Sequence, residues 1–287
     1  MNLNKAKKIA ILVLAILNVV LFSLHYMNKA DYTISAAREK AVYEVLSKNN
    51  IALYTDLITR YEPMQKIAIS PIQIDIDKLL PVFFSDTGKI NMTIEFSKTI
   101  YSDSVKTLTV SENYLLYENN EALGEDKHTT YNQAENVSDV FCEVMKGAMS
   151  FSPSLALEKN ISHGRAYTFR YVESYNKHKI FCNYIEITVN NGIVTRAVAS
   201  RYGINGFEGD ASAIAAPDEV MLTMLYAIKS MDLPYGVIIT DMEIGYDFPD
   251  SADIAAGDSI ALVPCYRIYI QGTDEPFTVN AYTNELK

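Results

Sequence analysis

The sequence predicts an α+β fold in which helices alternate with groups of antiparallel strands. Three amphipathic segments with helical spacing recur along the chain, and each precedes stretches in which apolar and polar residues alternate. Asn and Gly stand at the turns between these stretches, as at residues 190–192, and both residue types tolerate positive φ. Because an amphipathic helix buries its apolar side, we expect antiparallel sheets that are each covered on one face by a helix.

The first predicted helix begins after Ser35 and ends near Lys48. Ser35 can cap the first turn, and Val42, Val45 and Leu46 recur at helical spacing while charged residues lie between them. Two asparagines follow and end the helix.

Residues 51–117 predict strands. Ile72, Ile74 and Ile76 alternate with polar residues, which is typical of a half-buried strand. Residues 91–96 predict another strand, which follows a turn at Thr87 and Gly88.

The second predicted helix covers residues 134–149, and strands follow near 166–173, 180–189 and 193–201. Helical spacing assigns six apolar residues to its inner side: Val137, Val140, Phe141, Val144, Met145 and Ala148.

The third predicted helix begins at Pro217, a residue that favours the first helical turn. Its predicted inner side consists of Val220, Met221, Met224, Leu225 and Ile228. Strands follow near residues 241–247, 259–271 and 276–282.

The start of the chain predicts a transmembrane anchor. Lys5, Lys7 and Lys8 precede an uncharged run from Ile9 to Met27. A helix of that length extends roughly 28 Å, close to the hydrocarbon core of about 30 Å. Lysines before a span remain in the cytoplasm, so we expect residues 1–8 inside, residues 9–27 in the cell membrane and the rest outside.

A cleaved secretory signal and a buried soluble helix are the competing interpretations of this run. A signal peptide ends in small residues at its cleavage site, whereas here Leu24, His25 and Tyr26 are bulky. These flanks favour a retained anchor.

The remainder is then expected to form two extracytoplasmic parts. Residues 30–130 are the first α+β unit, and residues 131–287 contain two helix-and-sheet rounds, 131–204 and 211–287. A loop at residues 205–210, which contains two glycines, marks the predicted break between these rounds.

Composition excludes some classes of partner. The formal net charge is −10, and the four lysines before residue 30 have no acidic residue among them, so the remainder is more acidic still. Nucleic acid and anionic lipid are bound by clustered Lys and Arg, and we therefore expect neither as a partner.

The sequence contains no familiar catalytic motif. There is no HExxH, no G-x-S-x-G, no P-loop and no GxGxxG. His163 and His178 flank a predicted hairpin, and four acids, Asp247, Asp250, Asp253 and Asp258, form a cluster without EF-hand spacing. We interpret both groups as solvated loops and expect no metal, no cofactor and no enzymatic activity.

Three cysteines, Cys142, Cys182 and Cys265, are too few and too scattered for a disulfide scaffold. One bridge and three buried thiols both remain open at this stage.

One residue of the predicted span is polar. Asn18 shares a helical face with Ala15 and Phe22. An amide in the hydrocarbon core needs a hydrogen-bond partner, and such bonds between membrane helices contribute about 1 kcal/mol. Either the single Asn is tolerated within one span, or this face binds a partner's helix; Ala15, Asn18 and Phe22 are our candidate partner-binding residues.

The order of these elements resembles a known family. A basic start, a span containing Asn, a helix ending in LSKNNI and the closing stretch PCYRIYIQGTDEPFTVNAYTNELK are similar to the YycI family and its relative YycH. The closing stretch also resembles the last hairpin of PepSY-like domains.

The resemblance implies a single-pass auxiliary protein of Gram-positive bacteria that restrains the WalK (YycG) sensor histidine kinase of a two-component system, with a YycH-like protein as a partner. Two other classes stay open. One is a PepSY-type inhibitor of an extracellular protease or an envelope binding module, and the other is a cell-wall enzyme using carboxylates such as Glu243 and Asp247.

Overall fold

The computed structural model describes residues 7, 11–21, 32–121, 129–231, 236–249, 260–273 and 275–287, with the side chains of residues 159, 160, 163 and 260 excepted. The predicted α+β class is confirmed. Residues 11–21 are helical. Beyond them lie four helices: α1 (Ala36–Lys48), α2 (Ile76–Phe83), α3 (Tyr131–Ala148) and α4 (Pro217–Ser230).

A 3-10 helix (Thr87–Lys89) and fourteen strands complete the described secondary structure. The strands are β1 (Ile51–Leu53), β2 (Met64–Ser70), β3 (Asn91–Glu95), β4 (Lys98–Ser102), β5 (Lys106–Val110), β6 (Tyr114–Asn119), β7 (Ala156–His163), β8 (Ala166–Tyr175), β9 (His178–Asn190), β10 (Ile193–Ser200), β11 (Gly203–Ser212), β12 (Val237–Asp247), β13 (Ile260–Ile270) and β14 (Phe277–Asn280).

The chain folds into two compact units. The first consists of residues 1–64, 211–243 and 266–287, and the second of residues 65–210 and 244–265. The boundary expected near residue 130 lies inside the second unit, whereas the chain re-enters the first unit at Ala211. Both units are discontinuous in sequence, which a division by consecutive rounds does not anticipate.

The first unit packs α1 against α4. Ser35 accepts a hydrogen bond from the Arg38 backbone N–H, which confirms the predicted cap. Pro217 begins α4, and all five residues predicted to face inward on this helix are buried. Strand β1 pairs with β12 in parallel, Ile51 opposite Val237.

The second unit is built around a sheet in which β7, β8, β9, β10, β6, β5, β4 and β3 are neighbours in that order. These pairings are antiparallel. One face carries the main core, where Leu108, Phe169 and Ile187 pack with residues of α2 and α3. Helix α3 thus covers this face as its amphipathic pattern predicted, together with α2, which was not predicted.

One pairing in the second unit is parallel, unlike the antiparallel arrangement expected throughout. Gly245 of β12 lies opposite Lys179 of β9. A Cβ atom at Gly245 would meet the Lys179 carbonyl oxygen at 2.6 Å and the Phe181 ring at 2.7 Å. Only glycine permits this close approach of the two strands.

Two local predictions were wrong. Ile76 begins helix α2 instead of continuing a strand, because the Asp75 side chain accepts a hydrogen bond from the Lys78 N–H and caps the helix. Residues 205–210 belong to strand β11 and not to a loop, with Gly206 and Gly209 providing positive φ within the strand. Strand β7 was not predicted.

Candidate functional site

Helix α3 has two apolar sides, and only one of them is buried. Its buried residues are Ala134, Ser138, Cys142 and Met145. Val140 and Val144, which the sequence pattern assigned to the inside, are 69% and 43% exposed. Helical spacing places them on one stripe with Val137 and Phe141, and this stripe faces solvent beside the core.

A groove runs along this second side of α3. It has a volume of about 730 Å³ and is lined by Pro81, Val82, Asn136, Val137, Val140, Phe141, Val144 and Val194. Seven of these eight residues are apolar, and Asn136 supplies the one amide. The volume lies within the range of ligand and peptide pockets, about 300–1,000 Å³.

Helix α2 forms the opposite wall of the groove. Its buried residues, Leu79 and Phe83, fix it to the core. Pro81 stands within this helix of eight residues. Because proline has no backbone N–H to donate, the helix remains short. The ring of Pro81 lines the groove.

Aromatic side chains join the groove to the core. Phe141 lines the groove, and its ring centroid lies 5.7 Å from that of Phe83 in an edge-to-face arrangement. Tyr117 lies 4.8 Å from Phe83 and 5.9 Å from Phe141, measured between ring centroids. A rigid aromatic cluster beneath an exposed apolar groove is typical of the anchoring pockets of protein interfaces.

Two hydrogen bonds of one tyrosine connect α3 to the sheet. The Tyr171 hydroxyl donates to Asp139 Oδ1 at 2.7 Å and lies 2.9 Å from Ser138 Oγ. Burial raises the pKa of Tyr171 well above its ordinary value, so the hydroxyl stays a proton donor at all physiological pH values. This contact connects Ser138 and Asp139 of α3 to strand β8.

A second buried polar cluster has a structural role. Between Val172 and Glu173 the pairing of β8 with β9 shifts, so that three residues of β9 bulge from the ladder. Asn183, within this bulge, donates to Glu173 Oε2 at 2.7 Å and to the Tyr202 carbonyl at 2.9 Å, and it accepts from the Tyr202 N–H. These bonds satisfy the backbone N–H and C=O of Tyr202, just after β10.

The residues predicted to contact a partner are only partly described. Ala15 and Asn18 lie on the helical segment of residues 11–21 with exposed side chains, and Phe22 lies outside the described residues. None of the helices in the described ranges combines the length and the apolarity needed to cross a membrane. Both ends of the predicted span, residues 9–10 and 22–27, fall outside those ranges. The anchor therefore stays a prediction.

The polar groups singled out in the sequence do not converge. His163 and His178 lie at opposite ends of the ten-residue strand β8, about 30 Å apart along it. Asp250, Asp253 and Asp258 lie outside the described residues. Within the part of the chain that the structure describes, no three His, Cys, Asp or Glu side chains are grouped as metal ligands.

The three cysteines are buried free thiols, which settles the alternatives left open by the sequence. Burial raises the pKa of the Cys142 thiol to about 12, so it is protonated and unreactive at neutral pH. Glu243, considered as an enzymatic carboxylate, accepts a hydrogen bond from the Tyr269 hydroxyl.

Comparison with known proteins supports the fold. No family model matches the sequence, and no curated protein matches it. This chain is similar to the crystal structure of an uncharacterized protein from Eubacterium rectale ATCC 33656, with a TM-score of 0.52 and 11% sequence identity. The match covers 83% of this chain and 90% of that protein's chain. The two proteins therefore share a fold.

A weaker likeness is to the YpeB C-terminal domain of Bacillus megaterium. Its TM-score is 0.42 at 11% identity, with 76% of this chain and 96% of that domain covered. The assignment of the fold rests on the first structure.

Proposed function

We propose that this chain is a membrane-anchored extracytoplasmic regulatory protein that acts by binding other proteins. The observation that carries the proposal is the apolar groove between α2 and α3, with Val140 and Val144 exposed along it. Exposed apolar surface is unfavourable for a protein that stays alone in water, and contiguous patches mark binding sites.

The groove suits a protein segment. A helix-in-groove complex places apolar side chains at helical spacing into a trough of this kind, with aromatic residues as anchors. Phe141 and the rings beneath it supply such an anchor. Asn136 can bond a polar group at the edge of the segment.

The remaining parts of the proposal come from the sequence. The lysines and the apolar run at residues 9–27 support an anchor with the folded units outside the cell. The resemblance to YycI and YycH supports a sensor histidine kinase as the protein regulated, together with a YycH-like protein. Binding of a partner to the groove is tested at Val144, which lines it.

The test compares two exposed valines of the second unit. Val144→Asp places a charge in the groove, whereas Val105→Asp places the same charge in the turn between β4 and β5, where Val105 is 37% exposed. Burying an unpaired carboxylate in an apolar interface costs several kcal/mol, so association with the candidate kinase should fall at least tenfold for Val144→Asp alone. An in-membrane proximity assay at equal expression measures this association.

Equal association for both variants would remove the groove from the proposal.

Replacing the span by an unrelated one distinguishes the proposed function from that of a secreted protease inhibitor. The inhibitor would keep its activity, because its folded units alone would suffice.

A further inference from the structure

Strand β3 is an exposed edge of the second unit. All five of its residues, Asn91–Glu95, are exposed, and among the described strands it pairs only with β4. Its apolar residues lie on one face: Met92 is 60% and Ile94 is 69% exposed. Phe96 follows at the hairpin turn and is fully exposed.

Between Lys89 and Glu95 this edge lacks the features by which proteins prevent strand pairing. The outer strand β7 has a register shift beside the charged Glu158. The outer strand β11 contains Gly206 and Gly209 at positive φ and two acidic residues. Residues 90–94 have no charge, no proline and no bulge, and the charges of Lys89 and Glu95 flank them. An edge of this kind is open to another strand.

The backbone groups at this edge point outward. Glu95 and Lys98 flank a two-residue turn. In such a hairpin these two flanking residues form a hydrogen-bonded pair. Alternation along the strand then directs the N–H and C=O groups of Met92 and Ile94 away from β4. Ile90 continues the extended backbone, with φ −86° and ψ 129°.

The sequence of this edge is complementary to itself. When two copies align antiparallel about Met92, each Met92 faces its own copy and each Ile90 faces an Ile94. The same register sets Lys89 opposite Glu95 at both ends. About six backbone hydrogen bonds would form, with apolar pairs on one face and two opposite charges at each end.

We propose that β3 is a self-association edge, through which two copies of this chain pair antiparallel about Met92. The partner is a second copy because the charges and the apolar residues of the strand match when it meets its own reverse. The interface is small, below about 1,200 Å², so the dimer should be weak and transient. This proposal is independent of the groove.

Cysteine substitution tests the pairing in the full-length chain. In this register the two Met92 Cα atoms lie about 5.5 Å apart, within the span of a disulfide, whereas two Thr93 Cα atoms lie about 8 Å apart, beyond it. Mild oxidation should link Met92→Cys into a covalent dimer and leave Thr93→Cys monomeric. Glu208→Cys, on the exposed edge strand β11, controls for random collisions. The native cysteines are buried and should not contribute.

Charge exchange tests the partner. In the Met92→Cys chain, Glu95→Lys sets two lysines opposite each other at both ends and should slow covalent dimer formation about tenfold. Adding Lys89→Glu should restore the rate. The ion pairs that Lys89 and Glu95 make within the chain are exposed and contribute little to folding.

A Met92→Cys yield no higher than that of Glu208→Cys would overturn the proposal. A higher yield for Thr93→Cys, or no rescue by Lys89→Glu, would overturn the register.

Discussion

Arg38 binds Asp218 through two parallel hydrogen bonds, from Nε to Oδ2 at 2.7 Å and from Nη2 to Oδ1 at 2.8 Å. The two residues are 180 positions apart in sequence, and their contact joins α1 to the first turn of α4 within the first unit. The hydrogen bond to Asp218 raises the pKa of Arg38. Because α1 follows the predicted anchor, this contact fixes the beginning of the folded chain.

Removal of this guanidinium should destabilise the first unit. Arg38→Met leaves the Asp218 carboxylate, which is 10% exposed, without its cation. We expect a loss of about 1–2 kcal/mol in the free energy of unfolding, at the lower end because Arg38 itself is half exposed. Denaturant unfolding measures it. Lys40→Met, which removes an exposed pair with Glu44 at 3.8 Å, should change the stability by less than about 0.5 kcal/mol.

Stability of the second unit should fall at alkaline pH. Burial raises the pKa of Cys142 from 9.0 to about 12 and that of Tyr117 from 10.0 to about 12. Both folded-state values lie above the unfolded ones, so the unfolded chain deprotonates first. The stability that these groups provide is full below pH 9 and is lost as pH rises toward about 12.

Cys142→Ala isolates the contribution of the thiol. The wild-type free energy of unfolding should fall with a slope steeper by about 1.4 kcal/mol per pH unit than that of Cys142→Ala above pH 9. The comparison concerns the slope, because the substitution also changes the stability at neutral pH. If the free energies of unfolding of the wild type and Cys142→Ala fell with the same slope, the Cys142 thiol would have the same pKa in the folded and unfolded chain.

The hairpin turn after β3 should become more stable when its aromatic residue is removed. Phe96 has φ 49°, a conformation that disfavours bulky side chains, and its ring is fully exposed. Phe96→Gly should therefore raise the free energy of unfolding by about 0.5 kcal/mol. Met92→Gly, at an ordinary strand position nearby, should lower it by about 0.5–1 kcal/mol. A loss of stability in Phe96→Gly would mean that the ring supports the fold.

The predicted span offers a test of its own. Asn18→Leu keeps the segment apolar and removes the one amide that could bond across membrane helices. Association with a kinase span should weaken by about 1 kcal/mol, or roughly fivefold, while the protein level stays constant. Val19→Leu serves as the control, and an in-membrane proximity assay measures both. Equal association would indicate that Asn18 is merely tolerated.

The accuracy of the sequence predictions depended on how local the signal was. Helix α4 follows from Pro217 and five apolar residues at helical spacing, and it forms as predicted. Helix α2 was misread because Ile72, Ile74 and Ile76 alternate with polar residues, although the Asp75 cap signals its start. Short apolar runs do not distinguish a strand from a helix by periodicity alone.

The groove could not be found from the sequence. The spacing in α3 shows that Val140 and Val144 lie on an apolar stripe, but it does not show that a second stripe, with Ala134 and Met145, takes the core position. The neighbours of these stripes, Tyr171 and helix α2, lie elsewhere in the chain, and the spacing within α3 does not show which stripe meets them. Which apolar stripe of a helix is buried depends on residues distant in sequence, and local spacing does not report them.

The central claim is that a partner covers the groove between α2 and α3. The most direct measurement is the rate of maleimide labelling of Val144→Cys in membranes with and without the co-expressed candidate kinase. The native cysteines are buried, so the label reports the introduced thiol. Val105→Cys, in an exposed turn of the same unit, is the matched control. The proposal predicts slower labelling at residue 144, but not at residue 105, when the kinase is present; unchanged labelling at residue 144 in a complex that forms would contradict it.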